Sequence, residues 1–328
     1  MKHHFIDFLD REGGYWEMIP NRDRYEYDIA NIQEGDKKVS IVKYGKANKD
    51  WRKIFSLPNV EEVTLHEPDN EQLESICKLQ SIKRLRISFV RLKNLNFISS
   101  MRKLEELVLE YASGFSDLSP LSELQKLKSL HLENLRRVSD FSGLDGLKKL
   151  KYLYIDGTLD WPQPIDNFEF LAKLQDLEVL RFGRIINKLP FPSLLPIVKL
   201  KNLKKIWAPN NILDVKEFAL IEACFPKVQG ATRAPFSKIA YSDIFLPKTD
   251  VRSSLSDDDI LKYHPEVKID YKGKRKIADP NSEWFEFLGK SAGRVKCNSP
   301  SSAEKCSEYA AKYESLKKEA LAIIKKAR

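Results

Sequence analysis

One short stretch of the chain carries residues that could bind phosphate. Gly289-Lys290-Ser291 matches the end of the glycine-rich loop that holds nucleotide phosphates through its backbone N–H groups. That loop also requires a glycine five residues before Gly289, and Trp284 stands there. The backbone cradle is therefore incomplete, and the sequence does not predict nucleotide binding.

Metal ligands and catalytic groups are also poorly arranged. The chain has five histidines and four cysteines, but it contains no Cys-x-x-Cys or His-x-x-x-His pair of the kind that binds zinc. Carboxylates are numerous, and no pair of them stands apart from its neighbours. We therefore predict no catalytic residue, no metal and no cofactor, and we expect the cysteines to be reduced and structural.

A leucine pattern with a period of about 23 residues occupies the centre of the chain. Leu104-Glu-Glu-Leu107-Val-Leu109 is followed by Asp117-Leu-Ser-Pro-Leu121, and the pattern restarts at Leu127 and at Leu150. The same frame extends in both directions to seven good units and one partial unit around Val39-Ser-Ile41. Such a period is typical of solenoids, in which each unit buries its apolar face only against its neighbours.

These residues resemble the leucine-rich-repeat family, and the segment 117–121 is similar to the internalin-like and phosphatase-regulator-like subclass of repeats. The resemblance covers roughly residues 36–228 and indicates the fold rather than a function. One departure concerns the turns, where the family usually has Asn or Cys. Asn211 matches this rule, whereas six other units have Pro68, Val90, Ala112, Leu135, Thr158 and Ile185.

The spacing inside one unit predicts its structure. Leu130 and Leu132 are two residues apart and share the inner face of a strand, while His131 points outward. Phe141, Leu144 and Leu147 then have helical spacing. We predict an α/β leucine-rich-repeat solenoid with parallel β-strands on the concave face and helical or 3₁₀ segments on the convex face.

The outward strand positions form the predicted binding surface for a partner protein. Three acidic residues in consecutive units form a stripe, and exposed tyrosines and a tryptophan lie beside it, which are residue types enriched at interaction hot spots. Trp161, in a proline-rich insertion, is a candidate rim contact. The predicted concave-face residues are Arg84, Arg86, Glu110, His131, Glu133, Tyr152, Tyr154, Asp156, Arg181 and Trp207.

The segments that flank the repeats divide the remainder of the chain. Residues 1–35 are rich in aromatics and are predicted to form an N-terminal cap, with the repeats at 36–228. Residues 229–300 read as an irregular α+β extension, and 301–328 as an amphipathic helix that either packs back on the solenoid or binds a partner helix.

Charge and hydropathy indicate the setting of the protein. The formal net charge is +9, and the excess is concentrated after Asp270. No apolar run approaches the roughly 20 residues that span a bilayer, so we expect no membrane partner and a cytoplasmic location. Export by a pathway that uses no cleavable signal peptide is an open alternative.

The leading hypothesis is a non-enzymatic scaffold that binds a protein through the concave face, with a bacterial immunity or effector-type role as one reading. Nucleic acid is the disfavoured partner, because the concave face carries carboxylates and the basic residues show no pattern of interleaved aromatics. Two alternatives stay open, namely nucleic-acid binding through the basic C-terminal segment and an enzyme with an unrecognised C-terminal active site.

Overall fold

The computed structural model describes residues 2–3, 17–18 and 27–327. Near the N-terminus, strands β1 (Lys2–His3) and β2 (Glu17–Met18) pair in parallel, and a 3₁₀ turn follows at Ile29–Asn31. Most of the predicted N-terminal cap lies outside the described residues, so the cap and the domain boundaries remain predictions.

The repeats build a parallel sheet with one strand from each unit. The strands of the repeat region are β3 (Ile41–Tyr44), β4 (Glu62–His66), β5 (Arg84–Arg91), β6 (Glu106–Ser113), β7 (Ser129–Glu133), β8 (Tyr152–Asp156), β9 (Gln163–Ile165), β10 (Val179–Phe182), β11 (Ile185–Asn187) and β12 (Lys205–Trp207). The main sheet has the order β12-β10-β8-β7-β6-β5-β4-β3, and β9 pairs with β11 separately. The seven predicted units and the partial unit each supply one of its eight strands, so the predicted repeat frame is confirmed.

Helical segments cover the other side of the core, as predicted. Between β4 and β5 the segment is helix α1 (Asn70–Ile76). In the other units it is a 3₁₀ turn, at Trp51–Ser56, Asn96–Ser100, Ser119–Glu123, Ser142–Leu144, Glu169–Lys173 and Leu195–Lys199. The sheet is therefore the concave wall of a leucine-rich-repeat solenoid.

The leucines of the repeat fill the space between these layers. Leu130 and Leu132 are buried together with Leu144 and Leu147 from the facing turn, and they belong to one core that runs through the whole array. Each such side chain contributes about 1.5–3 kcal/mol through burial. Because the core is shared by neighbouring units, the array is stable as a set rather than unit by unit.

Three buried polar side chains satisfy turn backbone where the family's asparagine is missing. Gln163 accepts a hydrogen bond from the Leu135 N–H at 2.9 Å and donates one to the Val138 carbonyl at 2.6 Å. Gln72 donates to the Gly45 carbonyl, and Glu217 accepts from the N–H groups of Ser193 and Leu194. Different residues thus form the hydrogen bonds to buried turn backbone in different units, because a buried N–H or C=O without a partner destabilises the fold.

Beyond β12 the described chain contains two small antiparallel sheets and three helices, and the first of these helices still lies within the predicted repeat region 36–228. The elements are α2 (Val215–Cys224), β13 (Phe236–Ala240), β14 (Asp243–Phe245), α3 (Asp257–Tyr263), β15 (Lys268–Ile269), β16 (Arg275–Ala278), β17 (Glu283–Phe287), β18 (Arg294–Lys296) and α4 (Ser302–Ala327). Short 3₁₀ turns lie at Val251–Ser253 and Pro280–Ser282. The sheets have the orders β13-β17-β18 and β14-β16-β15, which fits the predicted α+β extension ending in a helix.

Helix α4 packs against helix α2 at the end of the solenoid. Tyr313, Ala320 and Ile324 of α4 join the main core, and the Tyr313 hydroxyl donates a hydrogen bond to Glu222 at 2.8 Å. Of the two uses foreseen for this helix, it therefore packs back on the repeats. None of the helices in the described part of the chain is long and apolar enough to cross a membrane.

Candidate functional site

The sheet register brings the predicted acidic residues together. Glu110 of β6 pairs with Glu133 of β7, and Glu133 pairs with Asp156 of β8. Neighbouring strands are about 4.8 Å apart, so three carboxylates follow one another across three strands. The predicted acidic stripe is therefore present in the geometry of the sheet.

The predicted exposure of the concave-face aromatics is wrong for two of the three residues. Tyr152 and Tyr154 are each only 6% exposed, whereas Trp207 is exposed. The Tyr154 ring stacks on His131 with 4.6 Å between centroids, and Tyr152 packs with Tyr154 and Val179. On a concave wall the side chains of neighbouring strands converge, so large ones cover each other.

Two arginines of the predicted surface form salt bridges with carboxylates of adjacent strands. The Arg84 Nε lies 2.6 Å from Glu62 Oε2, and both side chains are buried. Arg86 makes two hydrogen bonds to Glu110, at 2.6 and 3.0 Å. Arg84 is therefore a structural residue in this conformation, and Glu110 is the neutralised member of the acidic stripe.

Arg181 lies between two aromatic rings of neighbouring strands. Its guanidinium carbon is 5.0 Å from the Tyr154 ring centroid and 5.0 Å from that of Trp207. Such cation–π contacts hold a half-buried arginine in place. The arrangement leaves Trp207 as the outermost predicted aromatic of the concave face.

The other two carboxylates of the stripe, Glu133 and Asp156, form no salt bridge with a lysine or arginine in the described part of the chain, unlike Glu110. Burial, together with the charges of Glu110 and Asp156, raises the pKa of Glu133 to about 7. Its neighbour His131 cannot neutralise it, because burial and the nearby Arg86 and Arg181 lower the pKa of His131 to about 3. The stripe is thus an unbalanced acidic site beside a neutral imidazole.

Asp156 is held by three hydrogen bonds, in space left by Gly183, which directly follows the neighbouring strand β10. Its Oδ1 accepts hydrogen bonds from the N–H groups of Gly157 at 2.8 Å and Arg184 at 2.6 Å, and its Oδ2 accepts one from the Tyr154 hydroxyl. A Cβ atom at Gly183 would stand 1.9 Å from Asp156 Oδ1. The missing side chain at position 183 therefore makes room for this carboxylate.

An exposed aromatic ladder runs from the end of β4 across the second halves of β5 and β6, and the sequence pattern did not identify it. The Phe89 and Tyr111 rings are stacked with 4.6 Å between centroids, and the His66 ring meets Phe89 edge-on at 5.3 Å. Phe89 is 49% exposed and Tyr111 37%. Burial and the nearby charge of Glu133 raise the pKa of Tyr111, so the aromatic ladder lies beside the acidic stripe.

The backbone under this ladder is in the left-handed region. Glu67, Phe89, Tyr111 and Asn134 occupy equivalent positions in four consecutive units and have φ of 47°, 57°, 50° and 53°. Bulky side chains rarely adopt this conformation, and strained residues of this kind cluster at functional sites. The recurrence of a large or polar residue directly after the last outward strand position was the available sequence signal.

An open cavity of about 650 Å³ lies further along the same edge of the sheet. Its lining includes the acidic Asp156, the exposed Trp207, and Leu159 and Ile186 from the loops. The candidate rim residue Trp161 is exposed and lies two residues after Leu159 of the cavity lining. The Arg136 guanidinium carbon is 5.9 Å from its ring centroid. The lining also includes the cationic Arg184 and Lys290, so the cavity combines aromatic and apolar side chains with charges of both signs.

The loop at Gly289 does not have the geometry of a catalytic or phosphate-binding site. The N–H groups of Gly289 and Lys290 donate to the carbonyls of Asn210 and Leu213, so they are engaged with the last repeat. Residues 289–293 also have the Gly-x-Ser-x-Gly spacing of a nucleophile elbow, and Ser291 has φ of 58°. That elbow joins a strand to a helix, whereas this loop joins the antiparallel strands β17 and β18.

Metal-binding geometry is likewise missing from the described part of the chain. Within residues 2–3, 17–18 and 27–327, no group of three or more His, Cys, Asp or Glu side chains is placed to hold a metal ion. The four cysteines are free thiols. The acidic stripe and the aromatic ladder are therefore the arrangements with recognisable binding chemistry along this edge of the sheet.

Comparisons with known proteins give remote structural similarity. No family model and no curated protein matches the sequence. Similar solved structures include internalin C2 of Listeria monocytogenes (21% identity, TM-score 0.36, covering 48% of this chain and 66% of that one) and an internalin F of the same species (17%, TM-score 0.39, 59% and 61%). A leucine-rich-repeat protein of Leptospira interrogans is similar at 18% identity and TM-score 0.33, with 61% of this chain and 60% of that one covered.

This chain spans about two thirds of the length of those proteins or less. The assignment of its fold rests on its own residues, namely the repeated leucines and the parallel sheet that they build. The leucine repeat in the sequence and the parallel sheet in the structure both show that the chain has a leucine-rich-repeat fold.

Proposed function

We propose that the protein is a non-enzymatic scaffold that binds a basic segment of a partner protein along one edge of its concave sheet. The proposed site consists of the aromatic ladder (His66, Phe89 and Tyr111) and the acidic stripe (Glu110, Glu133 and Asp156), and it extends to the cavity beside Trp207. The observation that carries the proposal is the exposed Phe89–Tyr111 stack, held in left-handed backbone beside the adjacent carboxylates of Glu133 and Asp156.

The chemistry of this edge suits lysine and arginine side chains. A cation over the face of Tyr111 gains a cation–π interaction, and Glu133 and Asp156 supply carboxylates within one strand spacing. Aromatic residues that cost backbone strain and remain half exposed contribute little to the core. A role in binding a partner therefore explains these exposed aromatic residues better than a contribution to the stability of the fold.

The predicted surface thereby moves from the middle of the sheet to its edge. Arg84, His131, Tyr152 and Tyr154 act as supports beneath the site, since they are buried, whereas Glu133, Asp156 and Trp207 remain contact residues. A role in bacterial immunity or as an effector stays a prediction of the resemblance.

The test compares proteins captured from extract of the source cell by four immobilised forms. These are the wild type, Phe89→Gly/Tyr111→Gly, Glu133→Gln/Asp156→Asn, and a control in which Phe55, an exposed aromatic of a convex 3₁₀ turn, is changed to Ser. We expect a protein that the wild type and the control retain and that both site variants lose. Cross-linking of that protein should map to a Lys/Arg-rich segment.

Equal capture of the same proteins by all four forms would contradict the proposal. Thermal melts of each form separate a loss of binding from a loss of folding. A partner whose cross-linked segment is acidic or apolar would contradict the proposed charge complementarity even if the edge were the binding site.

A further inference from the structure

The outer face of the sheet β13-β17-β18 carries cations among aromatic rings. The register places Ile239, Trp284 and Lys296 side by side, and likewise Ser237, Glu286 and Arg294. These residues share the face opposite to Phe285 and Phe287, because successive strand residues alternate between faces. Since Phe287 stacks on Tyr309 of α4 at 4.6 Å, the face with Trp284 and Arg294 is turned away from that helix.

Arg294 lies between two aromatic rings on this outer face. Its guanidinium carbon is 4.6 Å from the Tyr241 ring centroid and 4.7 Å from that of Trp284, and the Lys296 Nζ is 5.6 Å from Trp284. Arg294 and Lys296 are exposed, and neither forms a salt bridge with a described residue. The nearby Glu286 instead accepts a hydrogen bond from the Tyr241 hydroxyl at 3.0 Å.

The neighbouring sheet repeats this combination. Phe245 is 58% exposed and has the Nζ atoms of Lys274 and Lys276 at 5.2 and 5.1 Å from its ring centroid. In the turn between β15 and β16, Tyr271 is 91% exposed with the Nζ of Lys272 at 5.3 Å. Lys272 and Lys274 form no salt bridge within the described residues, so they too are free to pair with an anion.

The two sheets join end to end. The Tyr241 N–H donates to the Ser282 carbonyl at 3.2 Å, and the Asp279 N–H donates to the Ser242 carbonyl at 3.0 Å. The strand pair β13/β17 thereby continues into β14/β16, and the aromatic–cation groups follow one another along the joined strands. The carboxylates among them are mostly engaged, since Asp243 pairs with Lys268 at 2.8 Å and Asp270 lies 3.6 Å from Lys276.

We propose that this joined surface binds single-stranded nucleic acid. Arg294, Lys296, Lys272 and Lys274 would meet backbone phosphates, and the exposed rings of Tyr241 and Phe245 would stack against bases. Flat rings between unpaired cations are the elements with which proteins bind single strands without sequence preference. An acidic peptide would use the cations but not the exposed rings of Tyr241 and Phe245, and a duplex offers no unstacked base to those rings.

This surface corrects the expectation that the basic residues are not organised with aromatics. Tyr241 is far in sequence from the hairpin that carries Trp284 and Arg294, and the hydrogen bond from its N–H to the Ser282 carbonyl brings it beside them. The inference is independent of the proposed protein-binding edge, because it uses none of the same residues.

The experiment measures fluorescence anisotropy of labelled mixed-sequence 15-mers of RNA and DNA at low salt with the full chain. The first variants, Arg294→Gln/Lys296→Gln and Tyr241→Ser/Phe245→Ser, change exposed side chains and are checked by circular dichroism melts. The matched control, Lys318→Gln/Lys325→Gln, removes the same charge from exposed positions of α4. We expect each surface variant to raise the Kd about tenfold or more, because base stacking and phosphate contacts each contribute on that scale. The control should change the Kd less than about threefold.

The remaining arms identify what else the surface could bind. An equal Kd for a duplex of the same length, or an equal loss in the control, would reduce the inference to general charge attraction and overturn it. Tighter binding of a labelled poly-glutamate peptide than of either single strand would replace nucleic acid by an acidic protein. Absence of binding at 50 mM salt by the folded wild type would also overturn it, whereas Phe89→Gly/Tyr111→Gly should bind RNA like the wild type.

Discussion

Replacing Phe89 or Tyr111 by glycine should destabilise the protein less than replacing it by alanine. Both residues have positive φ, which costs a residue with a Cβ atom about 1–2 kcal/mol and costs glycine almost nothing. Glycine loses more conformational freedom on folding, by about 0.4–1 kcal/mol relative to alanine. The balance predicts that each glycine variant is more stable than the matching alanine variant by about 1 kcal/mol.

The stacking energy cancels in this comparison. The Phe89–Tyr111 stack contributes about 0.5–1.5 kcal/mol, and it is lost equally in the alanine and glycine variants of either residue. The assay is urea unfolding followed by circular dichroism, with the free energy of unfolding compared between Ala and Gly at each position.

Phe55 provides the control with the opposite sign. It is an exposed aromatic in the 3₁₀ turn Trp51–Ser56 and lies outside the positive-φ positions, so Phe55→Gly should be less stable than Phe55→Ala by about 0.5–1 kcal/mol. If glycine is less stable than alanine at positions 89 and 111 as well, the left-handed backbone is not strained, and the argument that these aromatics are kept for binding loses its basis.

Three further predictions concern the supports of the site. Gly183→Ala should destabilise the fold by about 1–3 kcal/mol in urea unfolding, since its Cβ would displace Asp156 from two backbone N–H groups; no effect would show that the carboxylate has room to move. Glu62→Ala should lower the free energy of unfolding by about 3–5 kcal/mol, because it removes the carboxylate that pairs with the buried Arg84, whereas Glu62→Leu/Arg84→Met should lower it much less. Equal losses of stability in the two variants would show that Glu62 is not the main contact of Arg84. Because the raised pKa of Glu133 means that ionisation is unfavourable in the folded state, wild-type stability should fall between about pH 4.5 and 7 through this residue. Glu133→Gln should therefore raise the melting temperature relative to wild type more at pH 8 than at pH 4.5, and a difference independent of pH would contradict the assigned pKa.

The repeat frame was predictable because its signal is local and redundant. Leu107, Leu109 and their equivalents recur in seven units, so each unit confirms the strand register of the others. Period-two alternation then assigns the faces, and the adjacency of Glu110, Glu133 and Asp156 follows directly. The acidic stripe was therefore accessible from the sequence alone.

The exposure of individual side chains was not predictable in the same way. Alternation tells which face Tyr152 and Tyr154 occupy, but their burial depends on His131 and Arg181 from neighbouring strands. The aromatic ladder was missed because Phe89 and Tyr111 lie one residue beyond the repeat's last outward position, where backbone conformation rather than side-chain pattern determines direction. The basic surface at Arg294 was missed because non-local antiparallel pairing creates it.

The packing of α4 on α2 has a consequence for synthesis of the chain on the ribosome. About 80 residues separate the end of α2 from the start of α4, so at about 5–20 residues per second α2 is made about 4–16 seconds before synthesis of α4 begins. During that interval α2, whose Phe218 and Ile221 belong to the main core, has no α4 to pack against. The nascent solenoid can close unit by unit from its amino end, but its far end remains a candidate for chaperone binding until the final helix has been made.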